Sequence, residues 1–370
     1  MYRNVKNSLS KLDKIVPPMA KVVDGNNLTA KESEKVFTDI FLYDKEAYHL
    51  TAVSAGIHAK GETPDELLGF CKAHLKLGTK LKPKVSARKT TDLSGSGGAF
   101  LKTFNVSTTA SFIVAAVGYT VAKQAFWGVT SPTGSADIFS AFGVNILKLS
   151  AKKVENTLEN VGICPLHIAP ISPRLKNRGK ISRKMFIEKG IRIKSPFHLV
   201  SNATSPVPMM YRVYGIYSEK YLETLAELFF KLGYKKTLTF HGVDGLPEIS
   251  NVGRTIIVEQ IGDKFNRYTV TPSDLGIKKA TIDEIKTGGR EQNIIDFLKI
   301  LMGKEKGPKA DLTAVNAAAS LYVMGETKSI AEAVPKAQEI IKSGEGFKVL
   351  EKLVNYQGNP KLLKEWLNKI

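Results

Sequence analysis

The stretch "DLSGSGGAFLKTFNVSTTASFIVAAVG", from Asp92 to Gly118, constrains the fold of this chain more than any other. Three glycines, Gly95, Gly97 and Gly98, stand within four residues; Asn105, Ser107 and Thr108 follow, and then the chain turns apolar. Glycine has no Cβ, so its backbone N–H can approach a ligand closely. A glycine turn that leads into a helix offers an anion site, because the first N–H groups of a helix have no intrahelical partner. The pattern predicts a phosphate cradle, with "SFIVAAVG" as a buried helix behind the hydroxyl cap of Ser107 and Thr108. On the glycines alone, close packing is an equal alternative.

The flanking sequence sets this stretch in a two-part chain. Before it, "LTAKESEKVF" and "ETPDELLGF" each begin a helix. Thr29 with Glu32, and Thr63 with Pro64 and Glu66, have the spacing of a capping box. "KPKVSARKTTD" breaks the helical period and reads as a linker. After it the texture is α/β: "YTVAKQ" as a strand, "SADIFSAFG" as a helix ending at Gly143, and "KKTLTFHGVDGLPEIS" as a strand entering a turn. "RTIIVEQIGDKFNRYTVTP" follows as a hairpin turning at Gly262 and Asp263. The C-terminal part returns to helix, with caps at Thr281, Ser329 and Asn359. The Pro-rich, basic segment 163–210 interrupts the α/β part and is expected to return to the first domain.

Several classes are excluded. The longest apolar stretch has 13 residues, too short to span a bilayer, so no membrane partner is expected. The N-terminus "MYRNVKNSLSKLDK" has no apolar core with a cleavage site, which predicts a cytoplasmic protein. Cys71 and Cys164 are the only cysteines, and two reduced thiols are expected. There is no HExxH, no G-x-S-x-G, and no Gly-Lys-Ser/Thr after the glycines to make a P-loop. The formal net charge is +19, which favours anionic partners. Residues 72–89 carry seven Lys/Arg and no acid, and residues 174–194 carry nine against Glu188 alone.

"GSGGAFLKTFNVSTTASFIVAAVGYTVAK", "SPTGSADIFSAFGVNI", "DGLPEIS" and "VNAAASLYVMGETKSIAEAV" together resemble the anthranilate phosphoribosyltransferase family; "NNLTAKESEKVF" and "HAKGETPDELLGF" resemble its helical domain. The resemblance implies an α/β fold of the anthranilate phosphoribosyltransferase and nucleoside phosphorylase kind. A small helical domain would pack on a larger α/β domain with a central mixed sheet, the ligand lying between them. Residues 1–88, with part of 165–200 returning, would form the helical domain, and 89–164 with 201–370 the phosphoribosyl-binding domain. Phosphoribosyl pyrophosphate would rest on Gly95, Ser96, Gly97, Gly98, Asn105, Ser107 and Thr108, with Lys123 and Ser135 also on its phosphates. Ser107 and Glu248 would hold magnesium. A homodimer is implied as well.

The departures from the family pattern are concentrated. Ala99 stands in place of an Asp, and Pro247 in place of one of two metal carboxylates, so one magnesium site is expected to be weak. Gln124, Ala125, Phe126 and Trp127 replace His-Gly-Asn-Arg. Phe186 falls where the family holds its acceptor with an arginine, although Arg183 or Arg178 of the longer local segment could substitute. Two lost hydrogen bonds to charged groups cost about 3–6 kcal/mol, or roughly 10²- to 10⁴-fold in rate. The sequence thus supports a phosphoribosyltransferase with a diverged acceptor site at Gln124, Phe126, Trp127 and Arg183, and with no residue assigned as general base. The alternative is a retired relative that binds DNA or RNA through a basic groove. Phe126 and Trp127 would stack on bases in the second reading and plug the old acceptor pocket in the first.

Overall fold

The computed structural model describes residues 11–98, 101, 103–128, 133–191, 193 and 196–370; Ala99 and Arg192 lie outside them. The chain divides into two compact units, Met1–Lys80 with Ile168–Pro206, and Leu81–His167 with Val207–Ile370.

The first unit is helical: Val16–Val23, Ala30–Tyr43, Tyr48–Lys60, Pro64–Leu77 and, from the returning segment, Lys176–Arg183 and Pro196–Val200. Both capping boxes form. Thr29 Oγ1 accepts the Glu32 N–H (3.2 Å) while the Glu32 carboxylate accepts the Thr29 N–H (2.8 Å). Thr63 and Glu66 repeat the exchange at 3.3 and 3.0 Å. Gly69 lies directly against Ser33, where any Cβ would collide, and so lets two of these helices touch. Phe37, Phe41 and Phe70 form an edge-to-face cluster that Phe197 of the returning segment completes, with Phe70 and Phe197 centroids 5.0 Å apart.

The second unit holds the strands. Thr90–Thr91, Thr120–Gln124 and Ile163–Leu166 form one parallel set. Leu93–Gly95, Tyr211–Gly215 and Lys236–Gly242 form another, extended antiparallel by Thr255–Ile261 and Lys264–Val270. The expected hairpin turns at Gly262, whose φ of 59° suits a residue without a Cβ. A single extended segment, 90–95, thus pairs on one side before Asp92 and on the other side after it. Behind the strands, Val106–Ala116 and Pro308–Val323 are almost wholly buried, and Phe112, Phe139, Phe142 and Phe297 pack edge and face at 5.4–6.0 Å.

Residues 81–88, expected with the helical domain, cluster with the second unit. The reason is local. The Lys82 and Lys84 N–H groups donate to the Glu155 and Glu159 carboxylates, both at 2.7 Å, and Met210 N–H donates to Ala87 O at 3.2 Å. Among the described residues no helix is long and apolar enough to cross a membrane.

Candidate active site

In parallel α/β sheets a ligand crevice opens beyond the carboxyl ends of the strands where neighbouring connections run to opposite sides. The 90–95 segment is such a point, because Thr120–Gln124 lies on one side and Tyr211–Gly215 on the other. The glycine turn leaves from its carboxyl end. A Cβ on Gly95 would sit 2.7 Å from Gly215 O, and one on Gly215 would collide with the backbone of Pro247. These two glycines therefore stack the turn, the 211–215 strand and the 244–248 turn in backbone contact.

Gly97 and Gly98 have φ of 67° and 73°, the left-handed region. Ser96 anchors the turn: its N–H donates to Gly215 O (2.9 Å), and its Oγ accepts the Tyr217 N–H (3.1 Å) and donates to Gly97 O (3.1 Å). The helix behind starts at Val106, so Ser107 and Thr108 lie in its first turn and are not its cap. Asn105 precedes it, with its N–H and side-chain amide both donating to Asn293 Oδ1 at 3.0 and 3.2 Å. Among the described residues the N–H groups of Ser107 and Thr108 have no acceptor, and Thr108 Oγ1 is buried without a partner.

Lys123 is 3% exposed near the end of its strand. Its Nζ donates to Gln124 O at 3.2 Å, and among the described residues it has no ion pair. Burial lowers its pKa, with Arg212 adding to the effect and Asp92 opposing it. Asp92 is engaged elsewhere. Its Oδ2 lies 2.7 Å from Arg212 and 2.8 Å from Ser94 Oγ, and its Oδ1 accepts the Gln124 N–H at 3.3 Å. Neither Asp92 nor Arg212 stood out in the sequence. The available signal was a lone arginine in the apolar strand "MMYRVYGIY".

Ser135 is used as a brace: its Oγ accepts the Phe126 N–H at 3.1 Å. Asp137 accepts the N–H groups of Gly128 and Gly134, and His167 Nδ1 stands 3.2 Å from Ala125 O. Together they hold the loop that carries Gln124, Phe126 and Trp127. Gln124 is buried, Phe126 packs edge-on to His167 at 5.7 Å, and Trp127 is 39% exposed, which does not match a ring plugging a pocket.

Neither candidate arginine is a free recognition group. Arg183 is exposed and paired with Glu188 at 3.4 Å. Arg178 is buried beneath Phe197, donates to Ser201 Oγ at 3.1 Å, and is drawn down to about 10 by burial. Burial and Arg178 hold neighbouring His74 well below its usual range, so it is neutral. Phe186 packs on Phe197 and His198. The basic segments are also less free than their sequence suggests: Lys76 pairs with Glu34 and Lys184 with Glu46.

Glu248 sits in the 244–248 turn with Oε2 buried and unpartnered. Burial first, then Asp244, pushes its pKa up to about 8. Asp244 is bonded to Ser250 Oγ and to the Leu246 N–H. Asn316 fixes the segment by bonding both backbone groups of Ile249 at 3.0 Å. Among the described residues no three His, Cys, Asp or Glu side chains converge on a metal position. An orphaned carboxylate oxygen and the Ser107 hydroxyl are hard oxygen donors, which suits magnesium, an ion that takes few protein ligands and completes its shell with phosphate and water.

A helical unit and an α/β unit whose sheet changes partner at a glycine turn are the two parts that a glycosyl transferase family describes. The family described as "Glycosyl transferase family, a/b domain" matches residues 87–347, and its "helical bundle domain" matches 18–78. Within that class the chain belongs to the anthranilate phosphoribosyltransferase family. It is 35% identical over 350 residues to the anthranilate phosphoribosyltransferase of Methanococcoides burtonii, covering 95% of this chain and 96% of that one. The solved enzyme of that name from Thermus thermophilus superposes with a TM-score of 0.83 at 29% identity, covering 92% of this chain and 98% of that one. The Saccharomyces cerevisiae enzyme, solved with phosphoribosyl pyrophosphate and magnesium, shares the fold at a TM-score of 0.79 and 19% identity, covering 95% and 98%.

Proposed function

We propose that this chain is a phosphoribosyltransferase that binds phosphoribosyl pyrophosphate with magnesium and passes the phosphoribosyl group to an acceptor at a diverged site, where anthranilate is turned over weakly or not at all. The observation that carries the first part is Lys123. A buried ammonium with one hydrogen bond is costly, and an anion arriving beside it would stabilise it. The glycine turn and the unbonded N–H groups of Ser107 and Thr108 are further donors in the same unit. The names of the relatives support the substrate class.

Pyrophosphate would lie over the turn at Gly95, Ser96, Gly97 and Gly98. As the bond from the anomeric carbon to pyrophosphate breaks, its electron pair leaves with pyrophosphate and positive charge develops on the ribose. Backbone N–H groups and Lys123 face the negative charge that accumulates on the leaving group. The acceptor nitrogen forms the new bond and gives its proton to water, as no side chain is placed as a dedicated base. Magnesium, held by Ser107 and Glu248, would neutralise phosphate charge. The Pro247 position supplies no carboxylate, so one metal position is weak. The acceptor assignment rests on the loop at Gln124, Phe126 and Trp127 and on the engagement of Arg178 and Arg183.

Titration calorimetry with phosphoribosyl pyrophosphate and magnesium should show saturable heat that Lys123→Met removes. No heat with the wild-type protein would refute the reading.

A further inference from the structure

Two cations, Arg212 and Lys123, and one carboxylate, Asp92, are buried in the same unit, and Asp92 is paired with Arg212 alone of the two. A wholly buried arginine in a strand needs a reason, because desolvating its charge costs several kcal/mol unless it is paired. Arg212 is enclosed by the rings of Tyr214, Phe229 and Tyr234, with its guanidinium carbon 5.4–5.9 Å from their centroids. It donates to Asp92 Oδ2 (2.7 Å), Ser94 Oγ (2.8 Å) and Tyr234 Oη (3.0 Å). The cluster sits where the 90–95 segment changes partner, three residues before Gly95, from which the glycine turn leaves the strand. Asp92 also ties the end of the neighbouring strand through the Gln124 N–H. Lys123 is the residue before Gln124, on the strand whose Val121 lies opposite Thr91, and the charges of Asp92 and Arg212 both act on it. Its ammonium nevertheless has only a carbonyl for a partner among the described residues.

We infer that Arg212 is a positioning residue for the phosphate site: by claiming the Asp92 carboxylate it leaves the Lys123 ammonium without an internal counter-ion and open to an anionic ligand. Without the guanidinium, the Asp92 carboxylate would lose its cation and be free to act on Lys123. The two would neutralise each other and the lysine would turn inward. This inference rests on Lys123 facing the ligand phosphates.

The test uses the full chain and inorganic pyrophosphate with magnesium as the probe, read by calorimetry. Arg212→Gln should weaken binding about tenfold or more, the size of one charge-assisted contact. Arg212→Lys, which keeps a cation for Asp92, should bind within a few-fold of wild type. The deciding variant is Arg212→Gln with Asp92→Asn. Both charges are then gone, Lys123 has no carboxylate to pair with, and affinity should return toward wild type. Restored binding is a result that a merely structural arginine would not give. Wild-type affinity in Arg212→Gln, or equal weakness in the single and double variants, would overturn the inference. If Arg212→Gln does not fold, Arg212→Met, whose stem keeps contact with the surrounding rings, takes its place and is compared with its own double carrying Asp92→Asn. A Lys123→Met protein that binds pyrophosphate as wild type does would instead refute the phosphate-site reading, whatever Arg212 does.

Discussion

Gly215 and Gly97 both serve the turn, but for different physical reasons, and substitution separates them. In Gly215→Ala the new Cβ would lie 2.7 Å from Pro247 C and 3.1 Å from Phe240 Cε2, and closer still to Pro247 O. The obstacle is backbone, and Asn316 pins the chain just beyond it. Relief therefore requires the 244–248 turn to move by about an ångström. Overpacking of this kind costs about 3 kcal/mol, or about 6–12 °C in Tm for a domain of this size. Gly97→Ala meets open space, so its cost is only that of an L-residue at a φ of 67°. That penalty is about 1 kcal/mol, or about 2–4 °C. The functional losses should be reversed in rank. A Gly97 Cβ would stand in the open space beside the turn where pyrophosphate is proposed to rest, and should weaken its binding by about tenfold or more. Thermal unfolding by circular dichroism, paired with calorimetry, reads both. A Gly97→Ala protein less stable than Gly215→Ala, or one that binds pyrophosphate normally, would show the assignment of roles to be wrong.

Glu248→Gln should change how stability depends on pH. The folded carboxyl titrates at about 8 against an ordinary value of 4.5, so between those values the folded state holds a proton that the unfolded state has lost, and stability falls as pH rises. The glutamine variant should flatten that slope in denaturant titrations at a series of pH values; an unchanged slope would remove the burial argument. Lys123→Met should raise Tm while abolishing pyrophosphate binding, because it removes an ammonium that is desolvated for the ligand's sake. A lower Tm would mean the lysine stabilises the fold. Turnover of anthranilate should stay far below the ordinary enzyme rate of about 10 s⁻¹. A steady-state assay reaching that rate would restore anthranilate as the acceptor.

Local signals in the sequence were legible because they act over a few residues. The boxes at Thr29 and Thr63, the hairpin turn at Gly262 and the cap at Asn359 each depend on neighbours within three or four positions. The glycine turn was legible as well, since Gly97 and Gly98 take the left-handed backbone that favours a residue without a Cβ. The start of its helix was misplaced by two residues, because the tie that fixes Asn105 comes from Asn293, far along the chain. The hidden part was long-range. Asp92 does not stand out until Arg212 is brought beside it, and the brace that Ser135 gives the Phe126 N–H is set by the path of the loop rather than by any spacing in the sequence. Arg178 reads as a candidate acceptor arginine, and only the fold shows Phe197 over it and Ser201 as its hydrogen-bond partner. A charge run does not reveal which of its members the fold will withdraw from water.

The segment that changes partner at Asp92 also has consequences for how the molecule assembles. Its first partner, Thr120–Gln124, is made soon after it, but the second, Tyr211–Gly215, follows only after the chain has left for Ile168–Pro206. At a synthesis rate of about 5–20 residues per second, the open edge of Leu93–Gly95 waits on the order of ten seconds at the ribosome. During that interval every element of the helical unit has been made. Ribosome-bound chains truncated shortly after Pro206 should therefore resist protease in the helical unit and be cut near the glycine turn. Equal protection of both would mean that the sheet does not wait. The edge of the crevice that would receive pyrophosphate is then completed late, by a strand made long after the segment it pairs with.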